Sequence, residues 1–284
     1  SDGIDVLVDL AGHTAGNRLG IFARRPAAIQ VTMFGYPNTT GLTAFDARIT
    51  DAVYDPPGTS ESVNSEPLLR IENPCWVYRP PDSAPAVGPL PAASNAAFTF
   101  GCLNNPAKAS DACLDAWAKL LLAVPTARLV MTGSQSNSGA ARIRERFAAA
   151  GVSADRVDLR PRVPFEQYLA AYGGIDVALD PFPFNGGITT GDALWMGVPV
   201  LAVAGNTYAG RQGIAVLSAV GLSDFVARDA EHLVELGFAW ANRSDELAAI
   251  RAELRDLVAA SPFCDAVGYV RKLESAFRTL WQAK

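Results

Sequence analysis

Histidine and cysteine are both scarce. There are two histidines, His13 and His232, and four cysteines, Cys75, Cys102, Cys113 and Cys264, none of them in a C-x-x-C pair. Ligands scattered this way do not build a zinc site. Each cysteine lies in or beside an apolar stretch, so buried free thiols in a reducing cytoplasm are expected rather than disulfides. Apolar runs of transmembrane length are missing, which excludes a spanning helix. A large excess of one charge is missing too: 24 Lys and Arg face 29 Asp and Glu, for a net charge of -5. That balance argues against nucleic acid or a membrane surface as a partner and leaves room for local basic sites.

Several chemical signatures are also absent. No G-x-G-x-x-G weakens a nicotinamide-type reading, no G-x-x-x-x-G-K-[ST] excludes a P-loop, and no G-x-S-x-G elbow is found. No D-x-D pair offers carboxylates to a diphosphate-bound metal. No cofactor and no metal are therefore expected.

What is present is an α/β pattern. Apolar residues make up 49% of 284 residues, enough to fill two modest cores. Short β-branched runs at Ile4–Leu10, Ala28–Phe34 and Ala47–Thr50 each stop at Gly, Pro or Asp. They read as parallel strands whose C-terminal ends face ligand. Five prolines between Arg79 and Ala96 mark a linker. From Ala97 onward strands and helices alternate strictly: strands at Ala97–Leu103, Arg128–Thr132, Val157–Leu159, Ile175–Leu179 and Val198–Val203, with helices between them. Such alternation predicts a doubly wound parallel sheet. Helices at about Leu247–Ala259 and Asp265–Gln282 close the chain. The expected division is a partial lobe over 1–78, a linker over 79–96, a complete lobe over 97–264 and a terminal helix over 265–284. Because Ser1 almost directly precedes a buried strand, the polypeptide is expected to extend upstream.

Two segments carry chemistry. In Asp180–Asp192, DPFPFNGGITTGD, a strand ends, the chain turns on Gly186 and Gly187, and a helix begins. Glycines permit close backbone approach, and a helix start offers N–H groups and positive potential to an anion. Thr189 and Thr190 add hydroxyl donors, and Asp192 could accept from ribose hydroxyls. The same pattern also serves as an ordinary capped turn. In Phe100–Lys108, FGCLNNPAK, another strand leads through Asn104 and Asn105 to Lys108, close to a helix start. A cation there hints at an anionic partner; a solvated loop lysine is the other reading. The Ser/Gly-rich loop Thr132–Ala140 reads as mobile surface.

DPFPFNGGITTGDALWMGVPV, FGCLNNPAKAS, RRPAAIQVTMFGYPNTTG, ITDAVYDPP, SPFCD and LESAFRTLW together resemble the SPINDLY / protein O-GlcNAc transferase family, in order along nearly the whole chain. The resemblance implies a GT-B-like fold and inverting, metal-independent transfer of N-acetylglucosamine from UDP-GlcNAc to protein Ser or Thr. Lys108 would contact the diphosphate with Asn104 and Asn105 beside it, Thr189 and Thr190 would cap phosphates after Gly186 and Gly187, and Asp192 would hold the ribose. Val163, Phe165 and Tyr168 fall where the family reads the base, with Tyr168 placed to stack on it; simple helix packing is the other reading for that ring. Gly35 and Pro37 match a loop facing the sugar. The resemblance also implies that the terminal helix packs back on the first lobe.

There are departures. Ile188 stands where several relatives carry a third Thr, the tetratricopeptide repeats are missing, and the family's proposed catalytic histidines lie upstream of His13. The alternatives are a nucleotide-sugar-binding fragment without activity, a protein O-fucosyltransferase using GDP-fucose, or an epimerase. The chain alone is expected to bind UDP and to transfer sugar poorly until its upstream segment is restored.

Overall fold

A computed structural model of the chain describes residues 3–94, 97–133 and 137–284. The chain divides into two compact units. The first comprises Ser1–Val77, Thr207–Ala209 and Asp265–Lys284; the second comprises Tyr78–Asn206 and Gly210–Cys264.

In the first unit, β1 (Val6–Asp9), β2 (Ile29–Met33), β3 (Ala47–Thr50) and β4 (Leu68–Arg70) form a parallel sheet in that order. Only the first three were expected. The fourth is three residues long, too short to show a period of two. The terminal helix α9 (Ala266–Gln282) supplies Tyr269, Leu273, Ala276, Phe277 and Leu280, one helical stripe, to the core around Ile29, Val31 and Ile49. The one-turn α1 (Leu19–Phe22) packs Leu19 and Phe22 against Phe45.

The distant residues Thr207–Ala209 belong here through Tyr208, which stacks on Tyr54 at 4.4 Å. The guanidinium of Arg48 lies 4.5 Å from the Tyr208 ring centroid. That arginine is buried on β3, where it also donates to Asn64 Oδ1 at 2.7 Å.

The second unit holds β5 (Thr99–Cys102), β6 (Arg128–Thr132), β7 (Val157–Arg160), β8 (Val177–Leu179), β9 (Val200–Val203) and β10 (Val226–Ala227). They form one parallel sheet in the order β10-β9-β8-β5-β6-β7. The chain runs outward from β5 to β7, returns to β8, and runs outward the other way. Strand order therefore reverses between β5 and β8. In open α/β sheets the crevice at such a reversal, beyond the carboxyl ends of the strands, is where ligands sit.

The helices of this unit are α2 (Asp111–Ala123), α3 (Asn137–Ala149), α4 (Phe165–Ala171), α5 (Ile188–Trp195), α6 (Gln212–Val220), α7 (Ala230–Ala241) and α8 (Ser244–Ala260). Ser110 caps α2 by accepting from Cys113 N at 3.2 Å, as its residue type at that position favours. A Cβ on Gly101 in β5 would lie 2.3 Å from Ile175, so only glycine fits there. α7 and the two-residue β10 were not expected. Asp229 caps α7 at His232 N, 2.8 Å away, and Gly237 leaves room for Leu120 of α2.

The stretch read as a linker packs in part against the second unit. Its described residues belong to the second unit, with Leu90 and Pro91 buried and Ala92 N donating to Asp176 Oδ1 at 2.8 Å. Proline lowers the entropy cost of ordering a strap as readily as it marks a spacer. Residues 95 and 96 of that stretch, and residues 134–136 of the loop read as mobile, lie outside the described residues. All four cysteines are free; Cys75, Cys102 and Cys113 are buried and Cys264 is half-buried. Among the described residues no helix is long and apolar enough to cross a membrane.

Candidate functional site

β5 and β8 are hydrogen-bonded neighbours, so the two segments that follow them emerge side by side. After β5, Asn105 Oδ1 accepts from Ala107 N at 3.1 Å and closes the 3-10 turn Pro106–Lys108. Lys108 Nζ then donates to the Asn185 carbonyl at 2.8 Å and lies 4.1 Å from the Phe184 ring centroid. The Ser110 hydroxyl donates to the Phe182 carbonyl at 2.8 Å. Lys108 is therefore no freely solvated loop residue: the β8 loop holds its ammonium in place.

After β8, Asp180 is fully buried and its Oδ1 accepts from Gly186 N at 2.7 Å. A Cβ at Gly186 would lie 2.6 Å from both Thr189 Oγ1 and Thr190 Oγ1. Glycine is the residue this turn accepts. Gly187 then stands before α5 with no side-chain cap and no acidic residue in the helix's first turn, so the N–H groups there keep no side-chain acceptor of their own. Thr189 Oγ1 donates to Asn104 Oδ1 at 2.6 Å, joining the two segments directly.

A cavity of about 700 Å³ opens at this junction. Asn104, Asn105, Lys108, Val163, Phe165, Tyr168 and Thr189 all line it. Its volume falls in the usual range for small-molecule sites. Thr132, Arg160 and Arg162 also line it and were not anticipated; Gln167, within the segment from Val163 to Tyr168 expected to face the base, lines it too. Arg160 ends β7, and once the strand order is known its position at a carboxyl edge explains its place; the sequence order of the strands does not show which edges meet.

Other expected residues lie elsewhere. Thr190 is buried at 1% exposure and is not on the cavity wall. Gly186 and Gly187 shape the turn behind it, and Ile188 is exposed. Both carboxylate oxygens of Asp192 are engaged, by the Tyr78 hydroxyl at 2.6 Å and the Tyr168 hydroxyl at 3.0 Å. Asp192 thus fixes the tyrosine on the cavity wall, and Tyr168 also stacks on Phe165 at 5.9 Å. Gly35 and Pro37 belong to the first unit, in the loop after β2. A Cβ on Gly35 would lie 1.6 Å from the Leu10 carbonyl oxygen, so that loop runs against the end of β1.

The site's charges are strongly perturbed. Burial pushes the Asp180 carboxyl up, opposed by the Gly186 N–H, by Lys108 and by the Thr190 hydroxyl. Burial pulls the Lys108 ammonium down, opposed by Asp180. Burial also raises the carboxyl of Asp192, against the two tyrosine hydroxyls that favour its ionised form. Among the described residues there is no group of three or more His, Cys, Asp or Glu placed to hold a metal ion.

Comparison with known proteins gives the family and the fold. The sequence matches the model of glycosyl transferase family 41 over residues 1–75 and 90–273. It is 40% identical over 286 residues to a protein of Petunia hybrida and 42% identical to one of Arabidopsis thaliana, both named "Probable UDP-N-acetylglucosamine--peptide N-acetylglucosaminyltransferase SPINDLY". The matches cover 99% of this chain but 30% and 31% of those relatives. Among solved structures, a Lys-to-Met mutant of the O-GlcNAc transferase of Thermobaculum terrenum superimposes with a TM-score of 0.88 at 36% identity. That match covers 99% of this chain and 54% of the other. The two parallel α/β units are accordingly GT-B-like.

Proposed function

The chain belongs to glycosyl transferase family 41, and on that premise we propose that its second unit binds UDP-N-acetylglucosamine and that the whole protein transfers the sugar to Ser or Thr of a polypeptide. The observation that carries this reading is the convergence of Lys108, Asn104 and Thr189 on one cavity at the strand-order reversal. The diphosphate lies against Lys108 and the first turn of α5, and the base lies toward Val163, Phe165 and Tyr168. Attack of an acceptor hydroxyl at C1 with inversion expels UDP. Lys108 and the α5 N-terminus stabilise charge that grows as UDP departs, so they act mainly in the transition state. The names of the plant relatives support UDP-GlcNAc as donor and a peptide as acceptor.

A fixed ammonium and a helix dipole supply positive charge, and no D-x-D pair is present to recruit a metal. Binding is therefore proposed to be metal-independent. Titration calorimetry with UDP-GlcNAc is expected to give the same affinity in EDTA and in magnesium, with GDP-fucose binding at least tenfold more weakly (about 1.4 kcal/mol). Binding that vanishes in EDTA and returns with magnesium would show the metal-free site to be wrong. Preference for GDP-fucose would reassign the donor.

A further inference from the structure

Asp180 is the one strongly buried acid of the site that the transfer chemistry leaves unused. Its side chain has no solvent exposure. Oδ1 is held by the Gly186 N–H; Oδ2 makes no hydrogen bond of good geometry among the described residues, nor does Asn185 Oδ1 on the same turn, although the Thr190 hydroxyl lies close enough to favour the ionised carboxylate. A Cβ on Gly213 would sit 2.5 Å from Asp180 Oδ2 and 3.5 Å from Asn185 Cγ, so α6 closes over both groups. A void of about 10 Å³ touches Asp180, Thr190, Asn104 and Thr189, room for about one water, and the last two of these also line the main cavity.

An ionised carboxylate so enclosed needs a counter-charge, and the nearest cation is Lys108. The other titratable groups around Asp180 are Cys102 on β5, Cys113 on α2 and Tyr172, which lines the same void and whose phenol burial pushes well above its usual range, so it stays neutral. Burial pushes both thiols up, Cys102 to about 12, so both stay neutral and neither balances it. A diphosphate seated on Lys108 competes for that same ammonium. Two anionic groups sharing one cation disfavour ionisation of whichever can take a proton. The phosphates of a nucleotide sugar are strong acids and stay ionised; the carboxylate does not have to.

We propose that nucleotide-sugar binding is coupled to proton uptake by Asp180: the diphosphate takes over Lys108 while a proton from solvent neutralises the carboxylate behind the turn. A neutral Asp180 keeps its bond from Gly186 through the carbonyl oxygen and gains an O–H to offer the acceptors beside it. The proposal rests on the reading of the cavity as a diphosphate site. Its sign is definite: because a proton enters with the ligand, affinity rises as pH falls, by at most about tenfold per pH unit for one proton.

The test is calorimetry of UDP-GlcNAc binding near neutral pH in two buffers of different ionisation heat, with wild type and Asp180→Asn. UDP-GlcNAc is chosen over UDP because it has no phosphate titrating in that range. Wild type should take up a measurable fraction of a proton, and Asp180→Asn should take up none and bind with an affinity that no longer varies between pH 6 and 8. Binding without uptake in wild type overturns the coupling even if the variant does not fold. Uptake that persists or grows in Asp180→Asn assigns the proton to Lys108 and also overturns it. Absence of any binding heat instead sinks the diphosphate reading, and this proposal with it.

Discussion

Lys108→Ala is expected to lower the affinity for UDP and UDP-GlcNAc by roughly tenfold to a hundredfold. A hydrogen bond to a charged group contributes about 1.5–3 kcal/mol, and each 1.4 kcal/mol is about tenfold in affinity. The loss belongs to the upper part of that range for a physical reason. The Lys108 ammonium is held by the Asn185 carbonyl and the Phe184 ring, so it spends no side-chain entropy when the phosphate arrives. Lys108→Met separates the charge from the packing, since it keeps most of the stem over Phe184. Both variants should weaken binding alike in calorimetry, and each should still unfold in one cooperative transition, at a temperature below that of wild type because buried Asp180 loses its counter-charge. Unchanged UDP affinity in either variant removes Lys108 from the site.

The second large effect concerns stability. Arg251 on α8 is 1% exposed, yet among the described residues it has no ion pair within 4 Å, Asp176 being the acid that acts on it from farther away. Its guanidinium instead donates to three backbone carbonyls: Gly88 at 2.9 Å, Ile175 at 2.8 Å and Tyr172 at 3.4 Å. One side chain thus ties the proline-rich strap, the turn after α4 and the entry to β8. Arg251→Ala strands three acceptors and leaves a void where the side chain lay. Each buried acceptor left without its donor costs about 1–3 kcal/mol, so losing the donor to three of them costs at least about 3–5 kcal/mol. For a unit of this size that lowers Tm by about 6–20 °C. Thermal unfolding followed by circular dichroism measures it. Arg251→Lys should recover little, because one ammonium does not reproduce the planar fork. A shift below about 2 °C in the alanine variant would show that the three carbonyls find other donors.

The alternation from Ala97 onward was legible because each strand there is a short apolar run ending in a turn residue, and because Ser110 and the following residues read as a capped helix. β4 and β10 were not, since two or three residues carry no period. α7 was passed over although Leu233, Gly237 and Trp240 share a face; a glycine in a helical stripe weakens the signal, and its role facing Leu120 exists only after folding. In the proline strap composition reports local stiffness, while hydrogen bonds from Arg251 and to Asp176 hold it against the second unit. Tyr208 joins the first unit through ring stacking between residues more than 150 positions apart, which no window of sequence contains.

The site was legible in its glycine turn and its lysine, because close backbone approach and a cation near a helix start need those residue types. The reading of Thr190 and Asp192 was less complete. Both stand in the first turns of α5, but their side chains are buried in the unit's interior rather than on the cavity wall. Asp192 does accept two hydrogen bonds, from tyrosines rather than from any group visible in its own segment. One of those tyrosines, Tyr78, comes from the very start of the second unit. Gly191 makes that contact possible, since a Cβ there would lie 2.8 Å from the Tyr78 ring.

Backbone hydrogen exchange with and without saturating UDP-GlcNAc, in EDTA, asks where the nucleotide sugar rests. The expected result is added protection confined to residues 103–109, 160–168 and 185–192 of the second unit, with the first unit's β1–β4 segments changed far less. Protection concentrated elsewhere, or none at saturation, would contradict the assignment of the cavity beside Lys108 as the donor site.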